Sequence, residues 1–574
     1  MVFCRCPDKK YKPFQPIDLP DRQWPSKTIT KAPRWLATDL RDGNQSLPDP
    51  MSVEEKKAYF KKLVDLGYKE IEVAFPSASQ IDFDFTRYAV EVAPADVAVQ
   101  VLTACREELI HRTIESLRGA KKAIVHAYLA SSPLFRDVVF GLSEDESLAL
   151  AVKSTKLIRQ LTKDSKDPEI QKTHWQYEFS PETFSDTPLP YALKVLEAVK
   201  KAWEPTEENP IIFNLPATVE MTTPNVFADQ IEYISRNLTE REKVCISLHC
   251  HNDRGCAVAA SELGVMAGGQ RIEGCLFGNG ERTGNVDLVT LGLNLYTQGV
   301  DPGIDFSNLE DIVDTVEKYN KVRISDRAPY GGSLVVCAFS GSHQDAIKKG
   351  FARRALDVEK NGGKDEETLW QIPYLPLDPA DVGRTYEAVI RVNSQSGKGG
   401  AAWIILRQLE LDLPRGLQVA FSKIVQTEAE FKGRELKVQE LVDLFESQYY
   451  LADDAHYKLD LLDYNVTSKG KEERAFTGTL LEDDNQVTIE GVGNGPVSSF
   501  LNAMEGHFGW QLDVESYKEH SVGKGSKTKA VSYVEITAVQ GDKRRCEWGV
   551  GIHEDVAQAS MRAAVSVMNR LLSE

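Results

Sequence analysis

Positive charge is in short supply in this 574-residue chain: 68 Lys and Arg stand against 86 Asp and Glu, a formal net charge of −18. A surface that tracks a phosphate backbone needs the opposite surplus, so nucleic acid is excluded as a partner. A local cationic site for a small anion is not excluded. No apolar run reaches the length of a bilayer span, which argues against membrane insertion. Nine scattered cysteines include no Cys-x-x-Cys pair, a usage that fits free thiols in a reducing compartment rather than a disulfide framework. The opening Met1-Val2-Phe3-Cys4-Arg5-Cys6-Pro7-Asp8 has no signal-type apolar core and is too irregular for an Arg-rich amphipathic leader. Cytosol is the expected location, with the mitochondrion as the alternative. No tract is of low complexity, and 42% hydrophobic with 27% charged residues is the balance of an ordinary folded protein. The length predicts three or four compact units.

From Trp35 to about residue 298, apolar β-prone runs alternate with amphipathic stretches. Strand candidates begin near Trp35, Lys69, Val97, Lys121, His174, Pro210, Lys243 and Arg271. The first helix is signalled by Ser52 as a cap before Glu54-Glu55, and by Tyr59, Leu63 and Leu66 at helical spacing before Gly67. A doubly wound sheet would also alternate in this way, but eight βα units favour closure into a (β/α)8 TIM barrel. The expected organisation is an N-terminal extension (1–34), the barrel (35–305), a helical and loop-rich linker region (306–432) and a C-terminal α+β domain (433–574). Within the linker region, Asn393-Ser394-Gln395-Ser396-Gly397-Lys398-Gly399-Gly400 lacks the upstream Gly and the trailing Ser or Thr of a P-loop. It reads as a hinge-like connector. The last part carries a weak repeat: Val487–Gly493 and Cys546–Gly551 each lead through a Gly-rich turn into a helix.

Barrels of this kind place their chemistry at the C-terminal strand ends. Those ends read Arg41-Asp42 after strand one, Leu102-Thr103-Ala104 on strand three, and His126 and Tyr128 on strand four. Strand five offers Glu178, Ser180 and Glu182, and strand six Asn214 and Thr218. Strand seven carries His249 and His251, which share a face because side chains alternate, while Cys250 points away as a small buried residue. Strand eight leads into Gly280-Glu281-Arg282-Thr283-Gly284-Asn285. Asp42, two imidazoles and Asn285 form a donor set for a divalent metal; Zn²⁺, Mn²⁺ and Mg²⁺ all fit by ligand type, with two imidazoles favouring the first two. Asp42 as a turn cap, Asn285 as a helix cap and Arg41 in a plain ion pair are the structural alternatives.

Leu40-Arg41-Asp42-Gly43-Asn44-Gln45, the run His249–Gly255 and Gly278–Asn285 together resemble the 2-isopropylmalate synthases, and the likeness extends over nearly the whole chain. That resemblance implies condensation of acetyl-CoA with a 2-oxo acid, 2-oxoisovalerate in leucine biosynthesis, with Asp42, His249, His251 and Asn285 as the metal set. By similarity Arg41 stabilises the alkoxide, Thr218 binds the carboxylate, and Leu102, His126, Tyr128, Ser180 and Asn214 surround the substrate. His343 and Tyr374 match proton-transfer residues, with Glu182 as the accompanying acid. A homodimer is implied, and the C-terminal domain resembles a leucine-sensing module with Gly491, Gly493 and Gly495 in its ligand turn. Departures from the family pattern at Ala104, Ala127 and Ser131 remove side-chain volume. They raise the alternative of a specialised paralogue that homologates a bulky 2-oxo acid, such as 4-hydroxyphenylpyruvate, in secondary metabolism.

Overall fold

The structure is a computed structural model that describes residues 10–573 except Lys12, Phe339, 385–397, Glu435, 452–456, Asp484 and 524–527. Its apolar runs become eight parallel strands: β1 Arg34–Ala37, β2 Glu70–Ala74, β3 Ala98–Ala104, β4 Lys122–Ala130, β5 His174–Glu182, β6 Ile211–Ala217, β7 Val244–Cys250 and β8 Arg271–Gly274. Each begins within about one residue of its expected start. Neighbours pair in order, and β8 returns to β1 with Glu273 beside Leu36, closing the barrel.

A helix follows every strand: α1 Val53–Leu66, α2 Gln80–Val92, α3 Glu107–Ser116, α4 Glu144–Leu161, α5 Leu189–Trp203, α6 Pro224–Asn237, α7 Ala257–Met266 and α8 Leu288–Tyr296. The expected cap on α1 is present: the Ser52 hydroxyl accepts from Glu55 N while the Glu55 carboxylate accepts from Ser52 N. Gly67 ends this helix at φ 104°, a left-handed conformation that glycine adopts without strain. Tyr59, Phe60 and Leu63 on the inner stripe of α1 are buried against the barrel.

The chain divides into two compact units. The first contains the barrel and α9 Leu309–Asn320, runs to Val335, and takes in Pro379–Arg384. The segment expected as linker, 306–432, thus contributes to both units. The second unit begins with α10 Gly341–Lys360, α11 Lys398–Leu409, α12 Arg415–Lys432 and α13 Val438–Gln448. Lys398, Gly399 and Gly400, expected in a connector, open α11 instead; residues 393–397 of that run lie outside the described ones.

The repeat is real. β9 Leu459–Ser468, β10 Arg474–Glu482, β11 Asn485–Gly493 and α14 Pro496–Phe508 form one βββα unit; β12 Gln511–Val522, β13 Lys529–Gln540, β14 Lys543–His553 and α15 Val556–Leu572 form the other. The two share one core, with Phe476, Ile489, Phe500 and Met504 of the first packed with Ile536, Met561, Ala564 and Met568 of the second. In both, glycines on the last strand let the helix lie directly on the sheet. A Cβ on Gly491 would stand 2.4 Å from Ser499 O, and one on Gly549 2.0 Å from Ala563 O.

Candidate active site

After β1 the chain turns at once through a single π-helical turn, Asp39–Gly43. That turn overrides strand alternation, so sequence neighbours Arg41 and Asp42 both reach the barrel mouth. Arg41 Nη1 donates to Asp42 Oδ1 at 2.7 Å, and Arg41 Nε donates to Glu72 Oε2 at 2.6 Å. Arg41 therefore is in an ion pair, and it also lines the cavity. His249 from the end of β7 brings Nε2 to 3.3 Å from Asp42 Oδ2, and His251 Nε2 lies 3.9 Å from the same oxygen. Asn285 bridges to His251 across an isolated β-bridge, donates from Nδ2 to Asp42 Oδ2 at 2.9 Å, and sets Oδ1 3.0 Å from His249 Nε2. The cap of α8 is Asp287, not Asn285. Cys250 faces away, its thiol pushed up to about 12 by burial.

The electrostatics of this cluster are lopsided. Burial alone would raise the Asp42 carboxyl, yet Arg41 and the two imidazoles hold it well below the usual carboxylate range. Burial disfavours the His249 cation, but hydrogen bonds to Asp42 and Glu273 push it up to about 10. Burial, then repulsion from His249, pushes His251 down to about 4. One carboxylate, one neutral imidazole, one imidazole whose proton stands where a cation would, and an amide oxygen suit a borderline divalent ion. The ligand atoms of Asp42, His249 and His251 lie within 4.8 Å of one another. His251 Nδ1 is buried without a hydrogen-bond partner among the described residues.

A cavity of about 290 Å³ opens above this cluster. Every barrel residue expected around the substrate lines it: Leu102, His126, Tyr128, Ser180, Glu182, Asn214 and Thr218. Leu102 and Tyr128 supply apolar wall together with Phe75 and Pro216, and Phe75 meets Tyr128 edge-on at 6.4 Å. Burial raises the Glu182 carboxyl against the pull of Arg41. Asn214 donates to Glu273 through Nδ2 at 3.3 Å, and its Oδ1 has no partner among the described residues. The expectation of a widened wall fails at Ala127 and Ser131. Ala127 sits between His126 and Tyr128 on β4 and so faces the opposite side, and the Ser131 hydroxyl donates to Glu182 O and pairs with Thr187. Ala104 shares the parity of Leu102 and pairs with Tyr128, so it faces the cavity side without itself lining it.

His343, on the first turn of α10, and Tyr374 belong to the second unit. Their rings stack there with centroids 4.0 Å apart, and Tyr374 is mostly exposed at φ 66°. In the same unit, Gly491 and Gly493 are tightly enclosed by α14, while Gly495 is the N-cap of that helix with open space around it.

The barrel interior is filled by charged side chains that strand periodicity alone does not single out. Arg271, fully buried, donates to Glu70, Glu178, Glu273 and Gln100. Glu72 holds Thr38, Arg41 and His126. Glu70-Ile71-Glu72 and Arg271-Ile272-Glu273 carried the signal: charges two residues apart inside apolar strands share the inward face. At the mouth, Arg282, in a left-handed conformation at φ 57°, donates to Asp253 at 2.6 Å and also to Thr218 O. Ligand atoms of His126, Glu178 and Glu273 also converge, but Arg271 already supplies their cation.

A closed barrel with this cluster at its strand ends places the chain among the HMGL-like barrel proteins, whose family matches residues 32–316. Residues 333–406 match the alpha-isopropylmalate synthase post-catalytic domain, and 435–572 the LeuA allosteric (dimerisation) domain. The chain is 60% identical over 568 residues to 2-isopropylmalate synthase of Saccharomyces cerevisiae, covering 99% of this chain and 91% of that one. It is 58% identical to 2-isopropylmalate synthase 2, mitochondrial, of the same yeast (99% and 93% covered), and 52% identical to 2-isopropylmalate synthase of Thermobifida fusca (98% of each). The chain belongs to the 2-isopropylmalate synthase family.

Proposed function

We infer that the protein condenses acetyl-CoA with 2-oxoisovalerate to give 2-isopropylmalate and free CoA. One observation carries this reading: Asp42, His249, His251 and Asn285 converge at one end of a cavity whose remaining wall includes Phe75, Leu102, Tyr128 and Pro216. A polar grip beside an apolar pocket matches an α-keto acid with a branched side chain. Those four residues would hold a divalent ion, Zn²⁺ or Mn²⁺ before Mg²⁺, which would supply Lewis-acid polarisation of the keto group.

The protein's own groups do the rest. Arg41 presents its guanidinium where negative charge develops on the attacked ketone oxygen, and its two carboxylate contacts fix it there in advance. Thr218 offers a hydroxyl to the substrate carboxylate. The acetyl methyl group is a weak acid and needs a positioned base; His343, stacked on Tyr374, is assigned that task, with Glu182 as the accompanying acid. The methyl carbon then bonds to the keto carbon, the ketone oxygen takes a proton, and water cleaves the thioester to release CoA thiol. The LeuA-type domain is assigned to homodimer formation and to inhibition by leucine, which fits its family. Seven described cysteines are all free, in keeping with a reducing compartment such as the cytosol. No helix among the described residues is long and apolar enough to cross a membrane.

Thiol release with acetyl-CoA and a panel of branched and aromatic 2-oxo acids tests the reading. 2-Oxoisovalerate is expected to exceed the aromatic acids by orders of magnitude. An aromatic acid in first place would overturn the substrate assignment, and no thiol release with any would overturn the reaction.

A further inference from the structure

Glu273 lies on β8, fully buried, with its two oxygens facing different partners. Oε1 accepts from Arg271 Nη1 at 2.6 Å and from Ser247 Oγ at 2.7 Å. Oε2 lies 3.2 Å from His249 Nδ1 and 3.3 Å from the donating Asn214 Nδ2. An ionised carboxylate only accepts. The imidazole of His249 must therefore keep a hydrogen on Nδ1, which makes Nε2, the nitrogen turned toward Asp42 and Asn285, the one that gives up its proton and donates its lone pair when a cation enters. His251 has no equivalent support among the described residues, where its Nδ1 has no partner.

We propose that Glu273 is a positioning residue for the metal centre, fixing the tautomer and ring angle of His249 and so setting the affinity for the cation. The proposal rests on the reading of Asp42, His249 and His251 as ligands. Partners of this kind are worth about 10- to 100-fold in metal affinity.

Arg271 makes Glu273→Gln an inverting substitution. Its donors and Ser247 claim the amide oxygen of the new side chain, so the NH₂ group faces His249 Nδ1. The ring must then carry its hydrogen on Nε2, where the metal should bind. Glu178→Gln is the control, because it takes a carboxylate from the same Arg271 without touching a metal-set residue.

Zinc affinity of the metal-free full chain would be measured by competition with a chromogenic chelator, alongside thermal unfolding. Tight zinc binding by the wild type and its loss in Asp42→Ala establish the ligand reading; no binding by the wild type sinks that reading itself. Given wild-type binding, Glu273→Gln is expected to weaken zinc by about 10- to 100-fold while Glu178→Gln stays within about threefold. Glu273→Asp keeps the charge against Arg271 but withdraws the carboxylate from His249, and should lose affinity with the fold intact. It decides the matter if the Gln variant does not fold. Wild-type affinity in Glu273→Gln or Glu273→Asp, or an equal loss in Glu178→Gln, overturns the proposal.

Discussion

Arg41 and Glu72 are locked through a single oxygen: Nε and Nη2 of Arg41 both lie 2.6 Å from Glu72 Oε2, while Oε1 of the same carboxylate holds His126 Nδ1 at 2.7 Å. Only a planar fork can make both contacts and still reach Asp42 with Nη1.

Arg41→Lys therefore keeps the charge and loses the geometry. The expected result is a fall in kcat of about 10²- to 10³-fold, the usual cost of removing one preorganised oxyanion donor. KM for the oxo acid should change far less, and zinc binding should persist. Thiol-release kinetics beside chelator competition check both halves; an Arg41→Lys enzyme with wild-type kcat would remove Arg41 from the chemistry.

How much of this was legible beforehand differs by level. Apolar runs closed by Gly and Ser signals gave all eight barrel strands, because burial between barrel interior and helix layer demands apolar β-prone sequence regardless of function. The ligand set was legible because His249-x-His251 keeps strand parity. Arg41 beside Asp42 was not resolvable by parity, since a π-turn follows β1. The widening expected at Ala127 failed for the same reason in reverse: Ala127 obeys alternation and faces away. Glu72, Arg271 and Glu273 were missed because charge inside an apolar strand reads as noise until closure brings five such residues together.

Metal uptake should be coupled to proton release. In the metal-free protein His249 is held protonated up to about pH 10 by Asp42 and Glu273, so at pH 7 to 8 a cation must displace one proton from it. Affinity should rise with pH, about tenfold per unit, as long as His249 remains the protonated ligand. Calorimetry of zinc binding in buffers of different ionisation enthalpy should report about one proton released per site. Chelators should abolish thiol release, and added zinc or manganese should restore it; indifference to chelation would end the metal reading.

Asp39 makes a pH prediction about stability. Burial pushes its carboxyl up to about 7, against hydrogen bonds from Tyr59 OH and Leu276 N. The unfolded chain releases this proton near pH 3.9. Between those values the folded state binds the extra proton, so this group's contribution is full below about pH 4 and declines as pH rises to about 7. Asp39→Asn cannot ionise. The Tm difference, variant minus wild type, should grow from pH 5 to pH 8; a difference independent of pH would show that Asp39 does not titrate in this window.

The three glycines assigned to leucine sensing separate into two kinds. A Cβ on Gly491 would lie 2.4 Å from both Ser499 O and Ala503 N, and one on Gly493 2.5 Å from Ser499 N, all backbone atoms of α14 that cannot swing aside. Gly549 and Gly551 make the same close approach to α15 in the second repeat, against Ala563 O and Ala559 O, so this need is architectural. Gly491→Ala and Gly493→Ala should cost about 1–3 kcal/mol or more by forcing helix from sheet, and any altered leucine response in them would be uninterpretable. Gly495 has an extended backbone (φ −159°), and among the described residues nothing lies within 4 Å of an added methyl. Gly495→Ala puts a poorer N-cap on α14 and should cost about 0.5–1 kcal/mol, a fall in Tm of only a few degrees. If the turn contacts leucine, the same variant should weaken leucine inhibition with uninhibited kcat unchanged. A wild-type leucine response in Gly495→Ala would leave Gly491 and Gly493 as packing residues only and move the sensing site elsewhere in the domain.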